Sequence, residues 1–513
     1  MRIEQRLGEH AKHVAEFFVN EGDGEMAISA VSYDQLRVLP FNVSLHHVKL
    51  TKKVNDHARL LVTGILPEAN ENDYARLADE QTHIELVYKD NNRKQQRLFH
   101  GDILRFHVRV ENQVSWLEVE AISHTHAMDL KHETHSFQNK SLPIPDLMQN
   151  ISDSYSKGAV FNTFDENKRL DSYILQYQET DWQFLKRLAS HYHTVLVPVT
   201  TEDSVRVYLG IPDHCDAGKL EATHYRMYKD MLAYQKETAN EKSGLSEQDF
   251  ICYEVKSNDR VLELGDKVTF KGQKLHVFEV LTEMKQGLLT HQYTLCNAKA
   301  AYRRKRYNSA LIGASISGKV MEVVRDEVKV QLEFDQDWSL AKAILFPYST
   351  MYASDDQTGW YCMPEKGDSV RIYFPNAKEA EGIALSSVRK KLPNEALASS
   401  SGGHGQNSKT TVVQQEQLQP IINYDKDLKD DLMANPNTKF LLTPTGQKIT
   451  FEEDKITITG ATGGATITLT SEGTIILNCE KKIMLQASKQ IEMVSESIMM
   501  VANQIEMSTK EGK

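Results

Sequence analysis

"TIILNCEKKIMLQASKQIEMVSESIMMVANQIEMSTKEGK", residues 474–513, repeats an apolar-x-apolar triplet with nearly constant spacing. Upstream, Ile449-Thr-Phe451 and Ile456-Thr-Ile458 open the series and "GATGGA" interrupts it. Ile467-Thr-Leu469, Ile475-Ile-Leu477, Ile483-Met-Leu485 and Ile491-Glu-Met493 then follow at intervals of eight, and Ile498-Met-Met500 and Ile505-Glu-Met507 at intervals of seven. One short strand per fixed period marks a β-solenoid.

In a strand, residues i and i+2 face the same way, so each triplet puts two apolar side chains on one side. The middle residue is often Thr or Glu, which makes the other side wet. A repeat of seven or eight residues holds one strand and one corner, too little for a full coil of a single chain. The simplest closure is three chains winding about one axis, each giving one wall of a triangular prism per level and leaving no long free edge. Ile449, Phe451, Ile456, Ile458, Ile467, Leu469, Ile475, Leu477, Ile483, Leu485, Ile491, Met493, Ile498 and Met500 are the expected trimer core, with Ile505 and Met507 at the blunt end. Seven-residue spacing also suits a helical heptad, but the interval is mostly eight and Thr and Ile dominate the first half, which favours strands. The methionines that accumulate toward the end read as gap-fillers in a narrowing core. The change from eight to seven after Ile491 predicts a change of pitch there.

Working outward, a chain of 513 residues is long enough for several domains. The formal net charge of −11 argues against a general nucleic-acid or anionic-membrane binder. Five cysteines, odd in number and never C-x-x-C, predict buried thiols in a reducing compartment. The N-terminal stretch "MRIEQRLGEHAKHVAEFF" lacks the apolar core of a secretory signal. No run approaches the ~20 apolar residues that a membrane-spanning helix needs.

From Ala27 to Asp129, short alternating runs such as "HIELVYKD" and "SWLEVEAIS" predict antiparallel, barrel-like strands. "PIPDLMQNIS" reads as a helix with Asp146 at its N-cap. In "ETDWQFLKRLASHY", Thr180 and Gln183 have the spacing of a capping box, and Trp182, Leu185 and Ala189 share a face. Strands return from Ile251 to Leu295, with turns at Gly265-Asp266 and Lys271-Gly272. About five strands between Ile312 and Val388 have the size of an OB-type barrel. "ALASSSGGHGQNSKTTVVQQEQLQP" reads as a flexible linker. The expected domains are a hub of two β-barrels with inserted helices (1–308), an OB-fold domain (309–390), a linker (391–437) and a trimeric β-helix (438–513). The fold class is mainly β.

That order of parts resembles the VgrG family of type VI secretion spikes, the related spikes of extracellular contractile injection systems, and the fused hub and needle of contractile phage tails. "LQYQETDWQFLKRLASHYHTVLV" and "HSFQNKSLPIPDLMQNI" resemble hub segments, and "LELGDKVTFKG" with "KLHVFEVLTEMKQG" resembles the strands that close the second barrel. "GWYCMPEKGDSVRIYFPNAKEAEGIALSSV" is similar to the end of the OB domain, and "LLTPTGQKITFEEDKITITG" to the start of the prism. The resemblance implies a homotrimeric spike at the tip of a contractile tube. It implies tube and baseplate partners, a small tip-capping protein and effector cargo. It also implies assembly in the cytoplasm, ejection, and contact with a target membrane only on puncture. The forty or so residues Ala396 to Asn437 leave no room for the lysozyme domain of some phage relatives.

The densest set of potential metal ligands is "SHTHAMDLKHETH", with His124, His126, His132 and His135. "HETH" is not the H-E-x-x-H of metalloproteases, and the reading favours a strand end over a metal site. "AYRRKRYNSA", carrying Arg303, Arg304, Lys305 and Arg306, reads as a junction or a salt link more than a nucleic-acid contact, for want of a wider basic face. Neither a Gly-rich phosphate loop nor a nucleophile elbow is found, so no catalytic residue, cofactor or metal is assigned. The alternative is a carbohydrate-active or carbohydrate-binding tail-spike solenoid. It needs paired carboxylates, whereas Glu492 and Glu506 are lone middle residues.

Overall fold

A computed structural model describes residues 31–67, 82–90, 92–163, 168–213, 216–239, 244–258, 260–285, 287–335, 338–351, 353, 359–385, 435, 437–443, 445–461 and 464–505. The fold is mainly antiparallel β, with short helices. Two compact units divide the chain. One gathers Met1–Gly318, Val330–Ile344 and Arg371–Ile383, and the other Lys319–Lys329, Leu345–Val370 and Ala384–Lys513.

Beside a three-stranded sheet and the pair His132–Phe137 with Ile174–Thr180, most strands of the first unit join one twelve-stranded sheet. Its main path runs Leu36–Leu39, His83–Lys89, Gln95–Glu111, Val114–Ser123, Arg59–Ile65, Ser44–Lys53, Gln273–Lys285, Leu288–Cys296, Ile251–Ser257 and Tyr225–Lys229. Two apolar cores sit on it. Val48, Leu50, Leu60, Val62, Leu86 and Phe99 belong to the first, and Val255, Val268, Val277, Tyr293 and Leu295 to the second. The predicted Lys271-Gly272 turn has both residues at positive φ, 50° and 76°, and joins Lys267–Phe270 to the strand that starts at Gln273. That is the backbone a tight two-residue hairpin requires.

The helix Asp181–His191 begins as its sequence predicts. The Thr180 hydroxyl accepts from Gln183 N at 3.1 Å, while Gln183 Oε1 accepts from Thr180 N at 3.3 Å. Trp182, Phe184, Leu185, Leu188 and Ala189 are buried against Ile144, Leu147 and Met148 of the helix Ile144–Ser152. That second helix is capped by Pro143, and Asp146 sits inside its first turn, so Asp146 is not the N-cap residue. Proline at the start loses no hydrogen bond, because the first helical N–H groups have no partner anyway.

Arg187, on the buried side of Asp181–His191, is the charged centre of the unit. Its Nη2 donates to Glu179 Oε1 at 2.6 Å and to Leu175 O at 2.8 Å, and its Nη1 donates to Glu379. All three charged side chains are less than a tenth exposed. Burial pushes the Glu379 carboxyl above its ordinary value, although the Arg187 charge opposes this.

Two of the cysteines depart from the thiol expectation. Cys252 and Cys296 stand opposite each other on neighbouring antiparallel strands, with Cα atoms 4.6 Å apart, and form a disulfide. Cys362 and Cys479 are free, and Cys215 lies outside the described residues.

The same unit buries neutral histidines. Burial pushes His57 down to about 4, with Asp129 opposing, and burial with the Lys52 charge pushes His291 to about 4. Both folded values lie below the unfolded value, so the stability they contribute is complete above pH 6.5 and is lost as pH falls toward 4. Each contributes on the order of 3 kcal/mol across that window. Denaturant titrations at pH 7 and pH 4.5 should show the loss, and His291→Gln should make the pH dependence shallower.

Candidate assembly surface

The second unit carries a six-stranded antiparallel sheet in the order Gly359–Tyr361, Lys439–Leu442, Lys448–Phe451, Lys455–Thr459, Ala465–Thr470 and Ile475–Cys479. From Lys439 on, consecutive strands pair within the same chain. This corrects the expectation that each triplet up to Leu477 is flanked by strands of other subunits. The reason is local: hairpin turns lie between the triplets. Gly446 and Gly473 take φ of 86° and 82°, Glu452 N donates to Lys455 O at 2.9 Å, and Gly460 N donates to Ala465 O at 2.9 Å. At Gly446 a Cβ would fall 2.7 Å from Ala461 O, and a side chain disfavours that φ as well.

Register then gathers the apolar residues into two rows across the sheet. One row runs Leu441, Ile449, Ile458, Ile467, Leu477, each directly opposite the next. The other runs Phe451, Ile456, Leu469, Ile475. Alternation puts both rows on one face. The opposite face begins at Phe440, stacked on Tyr361 with ring centroids 4.9 Å apart, and continues through Thr450.

Burial is the reverse of what this pattern requires of an isolated sheet. Thr450 and Thr459 are 3% and 5% exposed, whereas Ile458, Ile467 and Ile475 are 42%, 40% and 69% exposed. A lone antiparallel sheet hides its apolar side and wets its polar side. Here Ile449, Ile458, Ile467, Leu477 and Ile483 line an open groove of about 630 Å3 instead. A contiguous apolar surface of this kind marks an interaction site.

Past Cys479, no strand pairing forms among the described residues up to Ile505. Ile483, Leu485, Ile491, Met493, Ile498, Met500 and Ile505 are all half or more exposed. This stretch lacks the Gly-containing turns of the hairpin half and does not fold back on itself. Met507 and Glu506 lie outside the described residues.

The four histidines of "SHTHAMDLKHETH" do not meet as one site. His124 and His126 lie on the 3-10 turn His124–Asp129, and His132 and His135 on the strand His132–Phe137. His126 faces the His57 ring at 5.6 Å. His124 instead joins His83 and Asp102, a grouping that the sequence does not suggest because two separate strands and the turn after a third assemble it.

The basic stretch packs as a junction. Arg303 Nη1 donates to Ala300 O and Tyr302 O, Tyr302 stacks on His193 with ring centroids 4.5 Å apart, and Arg306 pairs with Glu237 at 3.7 Å. Arg303 and Arg306 are thus engaged within the chain, while Arg304 and Lys305 are exposed.

With this geometry in hand, the class is a mainly antiparallel β protein with an open apolar sheet face. Residues 57–203 match the family model described as the phage tail baseplate hub (GPD). The fold is similar to that of the E. coli c3393 protein, described as a component of the type VI secretion system with structural similarity to T4 bacteriophage tail proteins gp27 and gp5. That likeness has a TM-score of 0.50 at 12% identity and covers 69% of this chain and 100% of that one. A chain of a Francisella PdpA-VgrG complex is aligned over 92% of this chain and 91% of that chain, at 10% identity and TM-score 0.45. A 43 kDa tail protein of prophage MuSo2 from Shewanella oneidensis covers 54% of this chain and 100% of its own, at 9% identity and TM-score 0.39. No curated protein matches the sequence. By its hub segment and its fold, the chain is similar to VgrG-like spikes and phage-tail baseplate hubs.

Proposed function

We propose that the chain forms the homotrimeric spike of a contractile injection apparatus. Its hub seats on the tube and baseplate, and its C-terminal strands build a needle with two further copies. The observation that carries this reading is the pair of in-register apolar rows left open on the C-terminal sheet. Two more copies of the same face would cover them, and would also supply neighbours for the unpaired triplets from Ile483 to Ile505. In this reading residues 309–390 form an OB-type barrel and 438–513 a β-prism, while the expected linker 391–437 lies, apart from Asn435 and Asn437, outside the described residues. Ile505 and Met507 present the blunt end to a tip protein.

The role is mechanical. Inter-chain ladders resist bending, since a strand leaves only by breaking pairs on both sides. The spike is assembled in the cytoplasm, ejected with its cargo when the sheath contracts, and touches a membrane only on puncture. It has no catalysis of its own. Deleting the gene in the producing cell should abolish assembled sheaths and tubes, and restoring it should place the chain at the tube tip. Normal particles formed without the chain would refute the role. Release of sugars from peptidoglycan or capsule by the purified protein would point to a tail-spike enzyme instead.

A further inference from the structure

The geometry points to a divalent transition-metal site in the hub, held by His83, Asp102 and His124. His83 opens the strand His83–Lys89 and stands directly opposite Asp102 in the pairing register. Asp102 in turn stands opposite Ile122, two residues before His124. Two neighbouring strands and the turn that follows a third thus bring one donor atom each to within 4.8 Å of the others.

The spacing suits an ion. His83 Nδ1 lies 2.8 Å from Asp102 Oδ1, and His124 Nδ1 lies 3.1 Å from each Asp102 oxygen. Around an ion with bonds of about 2.0–2.1 Å, neighbouring donors sit about 2.9–3.4 Å apart, the octahedral and tetrahedral edges. Two imidazoles and one carboxylate are the donor set that first-row transition ions prefer over magnesium or calcium.

A supporting chain lies behind the ligands. His124 Nε2 is 2.6 Å from His100 Nδ1, and His100 Nε2 is 3.7 Å from Glu85 Oε1, which Arg97 holds through Oε2 at 3.0 Å. With Nδ1 of His124 on the ion, its Nε2–H donates to His100, so one neutral tautomer satisfies both partners. Outer partners of this kind orient a metal-bound histidine and raise its basicity. His124 and His100 are buried, while the His83 and Asp102 side chains are 47% and 36% exposed, which leaves a way in from solvent and room for water to complete the shell. The bound ion would tie two hub strands to the turn that follows a third.

The test uses the full-length protein, stripped with chelator and dialysed. Zn2+ uptake is followed by calorimetry and Co2+ uptake by visible absorption. One ion per chain is expected, with a rise in Tm on loading. His83→Ala and Asp102→Asn, both at half-exposed positions, should each weaken uptake at least tenfold and remove the Tm rise. The double variant His132→Ala/His135→Ala should bind as the parent does. Absence of stoichiometric uptake, uptake that survives the His83 and Asp102 changes, or uptake lost with His132 and His135 would overturn the site.

Discussion

Full-length protein carrying Ile458→Glu and Ile467→Glu is expected to run as a monomer in size-exclusion chromatography with light scattering, at concentrations where the parent runs as a trimer. The two positions are adjacent in one apolar row, each directly opposite the other across a strand pair. In the single chain both are about two-fifths exposed, so the glutamates meet solvent and the sheet has no reason to unfold. In the trimer the remaining two-fifths of each isoleucine would be buried, which contributes about 0.6–1.2 kcal/mol per side chain, and six are lost per assembly. The replacements also bring six unpaired carboxylates into a dry interface, where each costs several kcal/mol more. The sum exceeds the free energy that holds a micromolar complex. Ser471→Glu, at an exposed turn residue, adds charge without touching either row and should leave the trimer intact.

The second large effect concerns the hub. Arg187→Ala leaves Glu179 and Glu379 buried without their shared cation. Breaking a buried ion pair by removing one partner typically costs 3–5 kcal/mol. A fall of about that size in urea-unfolding free energy is expected. Arg187→Lys should recover only part of it, since an ammonium group cannot span two carboxylates and the Leu175 carbonyl in one plane. The loss in the alanine variant should shrink at acid pH as the Glu379 carboxyl, which burial holds above its ordinary value, takes up a proton. An unchanged unfolding midpoint would show that the buried triad contributes no net stability.

What the sequence made legible was mostly local. The Thr180–Gln183 box, the Lys271-Gly272 turn and the apolar face of Asp181–His191 are each written within a few residues, and each forms as read. What escaped depends on register between distant strands. Cys252 and Cys296 are 44 residues apart, and only the pairing of their strands brings them together. His83, Asp102 and His124 come from two strands and a turn, while the four histidines that are near neighbours in sequence split between that turn and a strand.

The C-terminal repeat teaches a subtler point. Its triplets are legible in the sequence, but of the segments between them only "GATGGA" reads as a break. Glu452–Asp454, Gly460–Gly464 and Gly473 close hairpins, so strands up to Cys479 find partners in their own chain. Pairing along the backbone and burial of the side chains are separate requirements. The hairpins meet the first and leave the second unmet, and past Cys479 neither is met within one chain.

The central claim is that three copies meet both. The mass of the full-length protein in solution tests it most directly. A single species of three times 58.4 kDa, about 175 kDa, is the predicted result. A stable 58.4 kDa monomer at micromolar concentration, with the apolar rows open to water, would contradict it.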